Sequence, residues 1–273
     1  MTLNLRQKLI SLDSPIVMGI LNVTDNSFYD GGKYITDKTI VARAAQILEE
    51  GATIIDIGAV STRPNAAELD ETIEMERIRK AVRLILKTFP DVLLSIDTWR
   101  ASVAEMAVGE GAAMINDVSG GTFDSRMLET AAALKVPYCL MHTTAKPEIM
   151  QQQTRYNDLL ADILQFLGHQ LERLKSLGAC DIIIDVGFGF GKTLEQNYQL
   201  MRHLEAFHIF GHPLLVGISR KSMIYKLLET TPEQALNGTT VLNTLAIERG
   251  AHILRVHDVK EAVETIKIVK AQF

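Results

Sequence analysis

Eight short apolar runs succeed one another along this chain, and nearly every one closes on a residue capable of chemistry. Residues 16–21 end at Asn22, residues 53–57 contain Asp56, residues 93–96 end at Asp97, and residues 113–115 end at Asn116 and Asp117. Residues 138–141 then end at His142, 182–184 at Asp185, 214–218 at Ser219-Arg220-Lys221, and 252–254 at Arg255 and His257. A parallel strand buried on both faces reads as a continuous apolar run, and in an eight-stranded βα barrel the active site lies where the strands stop. The runs therefore predict an α/β chain folded as a TIM (β/α)8 barrel, and they mark its site.

Between the runs, residues 37–50, 68–87, 102–108, 156–177, 193–204, 233–249 and 259–269 carry apolar residues at three- and four-residue spacing opposite charged faces, as surface helices do. A Gly-Ala pair recurs at residues 51–52, 111–112, 178–179 and 250–251, each after a helix and before an even-numbered strand. Glycine there closes the helix in the left-handed conformation, and the repeat of paired βα units favours a closed eightfold barrel over an open sheet. The length of 273 residues suits one such domain, spanning residues 1–273, with residues 1–14 placed to cover the barrel floor. No twenty-residue apolar stretch and no secretory signal occur, which points to a soluble cytoplasmic protein. The net charge of −5 without a basic tract argues against nucleic acid and against a membrane surface. Cys139 and Cys180 are expected as buried free thiols.

At the strand ends, Asp97, Asn116 and Asp185 bring two carboxylates and a carboxamide, a set suited to the donor edge of a flat heterocycle. Any one of them can instead cap a helix or bind a neighbouring loop; three on separate strands make a shared pocket the better account. The glycine-rich segment 187–192 fails the phosphate-loop pattern because Val186 stands where the first glycine is required, and Lys192 stands where the dinucleotide fingerprint needs its third. It is expected to be a flexible loop that lets a ligand approach the backbone, with Phe188 and Phe190 as apolar walls. Arg63, Arg255 and His257 are candidates for an anion, with Arg255 and His257 on one face of the last strand, and Lys221 and Ser222 add a cation and helix-start amides. The seven histidines show no zinc spacing.

These residues lie in segments that together resemble dihydropteroate synthase: 18–24 (MGILNVT), 61–64 (STRP), 95–98 (SIDT), 115–121 (INDVSGG), 141–142 (MH), 187–192 (GFGFGK), 217–222 (GISRKS) and 255–258 (RVHD). The likeness runs from about residue 15 to the carboxyl end. It implies condensation of 6-hydroxymethyl-7,8-dihydropterin diphosphate with 4-aminobenzoate, giving 7,8-dihydropteroate and diphosphate for folate synthesis. By position it assigns Asp97, Asn116, Asp185 and Lys221 to the pterin, with Asp97, Asp185 and Lys221 counted as catalytic. It assigns Asn22 to magnesium and, with Thr62, Arg63, Arg255 and His257, to the diphosphate. Thr62, Pro64, Phe190, Lys221 and Ser222 are assigned to 4-aminobenzoate. A homodimer is expected from the family alone.

The chain departs from the family pattern in its first loop, where Asp25-Asn26 stands for the usual Pro-Asp; Asp25 is expected to supply the missing catalytic carboxylate. Val186 replaces a proline and Asn65 a glycine. Three rivals are a pterin-dependent corrinoid methyltransferase, a non-catalytic pterin-binding module and a phosphate-sugar barrel enzyme. The first leaves the diphosphate cluster unexplained, and the last makes the paired pterin carboxylates surplus.

Overall fold

The computed structural model describes residues 1–24, 36–60 and 69–272. A hairpin of β1 (Thr2–Leu5) and β2 (Lys8–Ser11) precedes the strands β3 (Ile16–Asn22), β4 (Ile54–Gly58), β5 (Leu93–Asp97), β6 (Met114–Asp117), β7 (Tyr138–Met141), β8 (Ile182–Asp185), β9 (Leu214–Val216) and β10 (Ile253–Val256). Every neighbouring pair from β3 to β10 is parallel, and β10 pairs with β3 to close the barrel. The helices between them are α1 (Asp37–Glu49), α2 (Glu71–Thr88), α3 (Ala101–Gly109), α4 (Met127–Leu134), α5 (Leu159–Ser176), α6 (Leu194–Arg202), α7 (Ser222–Tyr225) and α8 (Leu236–Glu248), with α9 (Val259–Lys270) after the last strand. Among the described residues, no helix is long and apolar enough to cross a membrane.

Most helix bounds fall within three residues of the sequence expectation. Two helices lie outside the expected segments: α7, a single turn too short to show a period, and α4, whose sequence MLETAAAL is mostly small and apolar and so lacks a charged face to reveal its period. The glycines of the four Gly-Ala pairs have φ of 100°, 110°, 83° and 82°. The following alanine N–H reaches back to the helix, Ala52 to Ile47 O and Ala251 to Ala246 O, which is the six-to-one bond of a Schellman stop.

Alternation along each strand divides the core in two. Ile55, Ile57, Leu94, Ile96, Ile115, Leu140, Ile184, Val216 and Leu254 pack outward against the helices. Met18, Ile54, Leu93, Met114, Cys139, Ile183, Leu215 and Ile253 form an inner layer, with Leu3, Leu5 and Leu12 of the amino-terminal hairpin packed against it. Two residues further along each strand the inner positions repeat, and here the layer reads Ile20, Asp56, Ser95, Asn116, Met141, Asp185, Gly217 and Arg255. The change from apolar to polar across one step is what separates the packed core from the floor of a site. Cys139 is a buried free thiol as expected, whereas Cys180 is exposed, because it lies in the turn between α5 and β8 rather than in the strand.

Candidate active site

One carboxylate organises the polar layer. Asp56, fully buried on β4, accepts from Asn116 Nδ2 at 2.9 Å and from Arg255 Nε at 2.7 Å, both on its Oδ2. Arg255 at the same time donates from Nη2 to Asp97 Oδ2 at 2.6 Å. Burial disfavours the guanidinium charge, but Asp56 and Asp97 outweigh it and raise the Arg255 pKa. Burial pushes the Asp97 carboxyl up to about 7; Arg255 opposes this, while Asp56, Glu74 and Asp117 add to it. Asp97 stands beside Gly58 of β4 and Asn116 of β6 in the barrel register, and Asn22 continues the same row on β3. Gly58 keeps this corner open: a Cβ there would sit 3.4 Å from Asp97 Cβ and 3.7 Å from Asn22 Oδ1.

Asp185 occupies the opposite wall. Its Oδ1 accepts from Gly187 N at 2.7 Å; burial raises its pKa, against the pull of Lys221 and that N–H. Lys221 precedes α7, donates from Nζ to Phe188 O at 2.6 Å and lies 4.5 Å from the centre of the Phe190 ring. Burial lowers the Lys221 pKa to about 8, with Asp185 holding it up. Phe190 belongs to a small apolar cluster with Val60, Trp99, Val118, Met141 and Met150 at the barrel mouth. Phe188 does not form a wall of the mouth, since its ring is fully buried in the outer core and only its carbonyl faces Lys221.

The glycine-rich loop is held rather than flexible. A Cβ on Gly187, at φ 71°, would lie 1.9 Å from His142 O, and one on Gly191 would lie 1.9 Å from Thr144 Oγ1. These glycines admit the neighbouring β7 loop, not a ligand, which corrects the sequence expectation. Lys192 is the brace: its buried Nζ donates to Gly187 O and Phe190 O at 2.9 Å each and meets His142 Nδ1 at 3.0 Å. Burial lowers Lys192 to about 7. His142, lowered to about 2 by burial and by Lys192, stays neutral with Nδ1 as the acceptor.

That geometry makes a pH prediction. Unfolded His142 takes a proton near its ordinary 6.5, and the folded residue refuses it down to about 2. The unfolded state therefore binds more protons in this window, and stability falls as pH drops from 6.5. His142→Asn, whose side-chain oxygen can replace Nδ1 as acceptor, should show a shallower loss in urea midpoint between pH 6.5 and 4.5. An unchanged acid slope would remove His142 from this role.

The remaining candidates divide. His257 Nδ1 pairs with Ser219 Oγ at 3.1 Å, its carbonyl accepts from Arg43 Nη2 at 2.9 Å, and burial and Arg255 lower its pKa to about 4. It thus enters the mouth as a neutral imidazole. Ser222 begins α7, where Lys221 is the cap residue and no side chain caps the helix. Arg220, next to Lys221 in sequence, turns at φ 56° into a two-bond pair with Asp258 at 2.7 Å, so it braces the loop against the start of α9. Asp117 is likewise structural, accepting from Ser119, Gly121 and Tyr138. Asp25, Thr62, Arg63 and Pro64 lie outside the described residues, as do Asn26 and Asn65. Among the described residues, no three His, Cys, Asp or Glu side chains converge on a metal.

Sequence reasoning assigned no role to Asp56, His142 or Lys192. An aspartate at an inward position one step below the strand end was the available signal for Asp56. A lysine between a glycine loop and a helix start gave none.

Residues 18–257 match the family described as pterin binding enzyme. The dihydropteroate synthase of Escherichia coli (strain K12) is 42% identical over 264 residues, covering 96% of this chain and 93% of that protein. A solved Yersinia pestis dihydropteroate synthase in complex with a sulfonamide drug superposes with a TM-score of 0.95 at 44% identity, over 100% of this chain and 99% of that one. The Thermus thermophilus dihydropteroate synthase in complex with 4-aminobenzoate gives a TM-score of 0.90 at 36% identity, over 100% of both chains.

Proposed function

The chain belongs to the pterin-binding enzymes and, within them, to the dihydropteroate synthases, and on that premise we propose how its barrel mouth joins the pterin diphosphate to 4-aminobenzoate. One observation carries the assignment of roles: Asp97, Asn116 and Asp185, from three strands, lie with Lys221 around Arg255 at the barrel mouth. Asp97 and Asp185 accept from the amino and ring N–H groups of 6-hydroxymethyl-7,8-dihydropterin diphosphate, Asn116 reads the same edge, and Lys221 donates to the ring carbonyl. Arg255 and His257, with Thr62 and Arg63, hold the diphosphate. Phe190 and Ser222, with Thr62, Pro64 and the stem of Lys221, border 4-aminobenzoate, the place a sulfonamide would share.

The reaction breaks the C–O bond between the exocyclic methylene and the diphosphate, whose oxygen leaves with both electrons. The methylene cation is delocalised into the electron-rich dihydropterin, and the two buried carboxylates favour that charge. The amine nitrogen of 4-aminobenzoate then forms the new C–N bond and loses its proton to solvent. No side-chain nucleophile is required. The Asn22 amide oxygen, exposed beside the open corner at Gly58, suits a hard cation that takes its other oxygens from diphosphate and water. Magnesium held there would neutralise leaving-group charge. Assembly as a homodimer and a cytoplasmic setting complete the proposal.

Incubation of the purified protein with the pterin diphosphate and labelled 4-aminobenzoate should release dihydropteroate and diphosphate in equal amounts. Failure to form either by the folded protein would sink it. Arg255→Ala tests the diphosphate grip: affinity for the pterin diphosphate should fall about tenfold or more beyond any loss for the bare hydroxymethylpterin, because only the former loses a charge-assisted contact. Equal losses would make Arg255 a support of the pocket alone.

A further inference from the structure

The ligand-free arrangement contains a conflict. Arg255 Nη2 donates to Asp97 Oδ2, one of the two oxygens that a forked pair of pterin N–H groups would take. The guanidinium must therefore release Asp97 when the pterin enters, yet it cannot simply swing into solvent and still grip the diphosphate. Its second contact resolves this. Nε donates to Asp56 Oδ2, one layer below Asp97 and fully buried, where a pterin resting on Asp97 does not compete for it. Arginine offers five N–H donors in a fixed fork, so the group can pivot about the Nε contact and turn its Nη donors outward.

We propose that Asp56 is a positioning residue, the fixed seat from which Arg255 turns from Asp97 to the diphosphate as the pterin binds. The same Oδ2 accepts from Asn116 Nδ2 and so sets the sense of that amide, leaving its carbonyl and second N–H for the pterin edge. Asp56 is suited to the task because its other oxygen, Oδ1, is buried with no hydrogen-bond partner among the described residues. Among the described residues, its side-chain hydrogen bonds fall on the oxygen that holds Asn116 and Arg255. The role rests on Arg255 holding the diphosphate, as proposed above.

The measured quantity is the ratio of affinities for the pterin diphosphate and the bare hydroxymethylpterin, taken by calorimetry for the parent, Asp56→Asn, Arg255→Ala and the double variant. Asp56→Asn should lower that ratio about tenfold, as expected for loss of the charge-assisted half of the seat. In the Arg255→Ala background it should lower the ratio no further. A residue that merely supports the pocket would weaken both ligands alike and leave the ratio unchanged. If Arg255→Ala lowers the ratio and Asp56→Asn does not, or if the two losses add, the seat is wrong while the diphosphate grip stands. If Arg255→Ala leaves the ratio intact, the grip itself is wrong and the seat falls with it. Arg255→Lys provides an independent measurement should Asp56→Asn not fold. A single ammonium cannot hold Asp56 while facing the diphosphate, so it should lose most of the ratio, and a fully retained ratio would overturn the proposal.

Discussion

Asp185→Asn is expected to leave the barrel folded and to weaken pterin binding by about thirtyfold to a thousandfold, the range that follows from about 2–4 kcal/mol for truncating one partner of a buried, charge-assisted contact. The fold should survive because the asparagine oxygen can still accept from Gly187 N, and because removing the charge relieves the burial that raises the Asp185 pKa. The ligand has no such recourse. An amide presents one acceptor where the carboxylate presents two, and Lys221 and Lys192 lose the negative neighbour that supports their charge. Titration calorimetry with a bare pterin, alongside thermal unfolding, separates the two effects. Parent-like affinity would remove Asp185 from the pocket, and a collapsed melting temperature would make it a structural acid.

The legible and illegible parts of this molecule differ for a physical reason. Strands buried on both faces declare themselves as apolar runs, so the barrel, its strand ends and the convergence of Asp97, Asn116 and Asp185 follow from the sequence. The Gly-Ala stops were equally visible, because a left-handed helix end is a local requirement. The partnerships were not. Arg220 follows β9 and Arg255 lies near the end of β10, and both carry the same charge, but one turns into Asp258 and the other into Asp56 and Asp97. That choice depends on the backbone turn at Arg220 and on which carboxylate lies across the barrel, and neither is written in spacing. Asp56 was hidden for a related reason: it sits inside its run rather than at the end, so only the layer it shares with Asn116 and Arg255 gives it a role. The glycines of 187–191 invited a ligand-facing account because the segment lies at a strand end, whereas close approach of His142 and Thr144 is what excludes their side chains.

Lys192→Met should be the most damaging single change to the site's framework, with a stability loss of about 2–4 kcal/mol at high pH, because two buried carbonyls would lose their donor at once and His142 Nδ1 its partner. Gly187 O, Phe190 O and His142 Nδ1 all lie within 3.0 Å of the buried Nζ, and methionine fills the volume without offering a polar partner. The loop they fix carries the Phe188 carbonyl and the Phe190 ring against which Lys221 rests, so the KM for 4-aminobenzoate should rise as well. The deficit has a signature in pH. Burial lowers the Lys192 pKa from 10.5 to about 7, so between these values the unfolded chain binds more protons than the folded one and the parent gains stability as pH rises. Below about pH 7 the parent bears the full cost of a buried ammonium, which the methionine variant does not. The gap between them should therefore widen from pH 6.5 to pH 9.5 in urea unfolding. A gap of constant size would mean that Lys192 does not titrate in this window, and no gap at all would mean that the carbonyls of the loop do not depend on it.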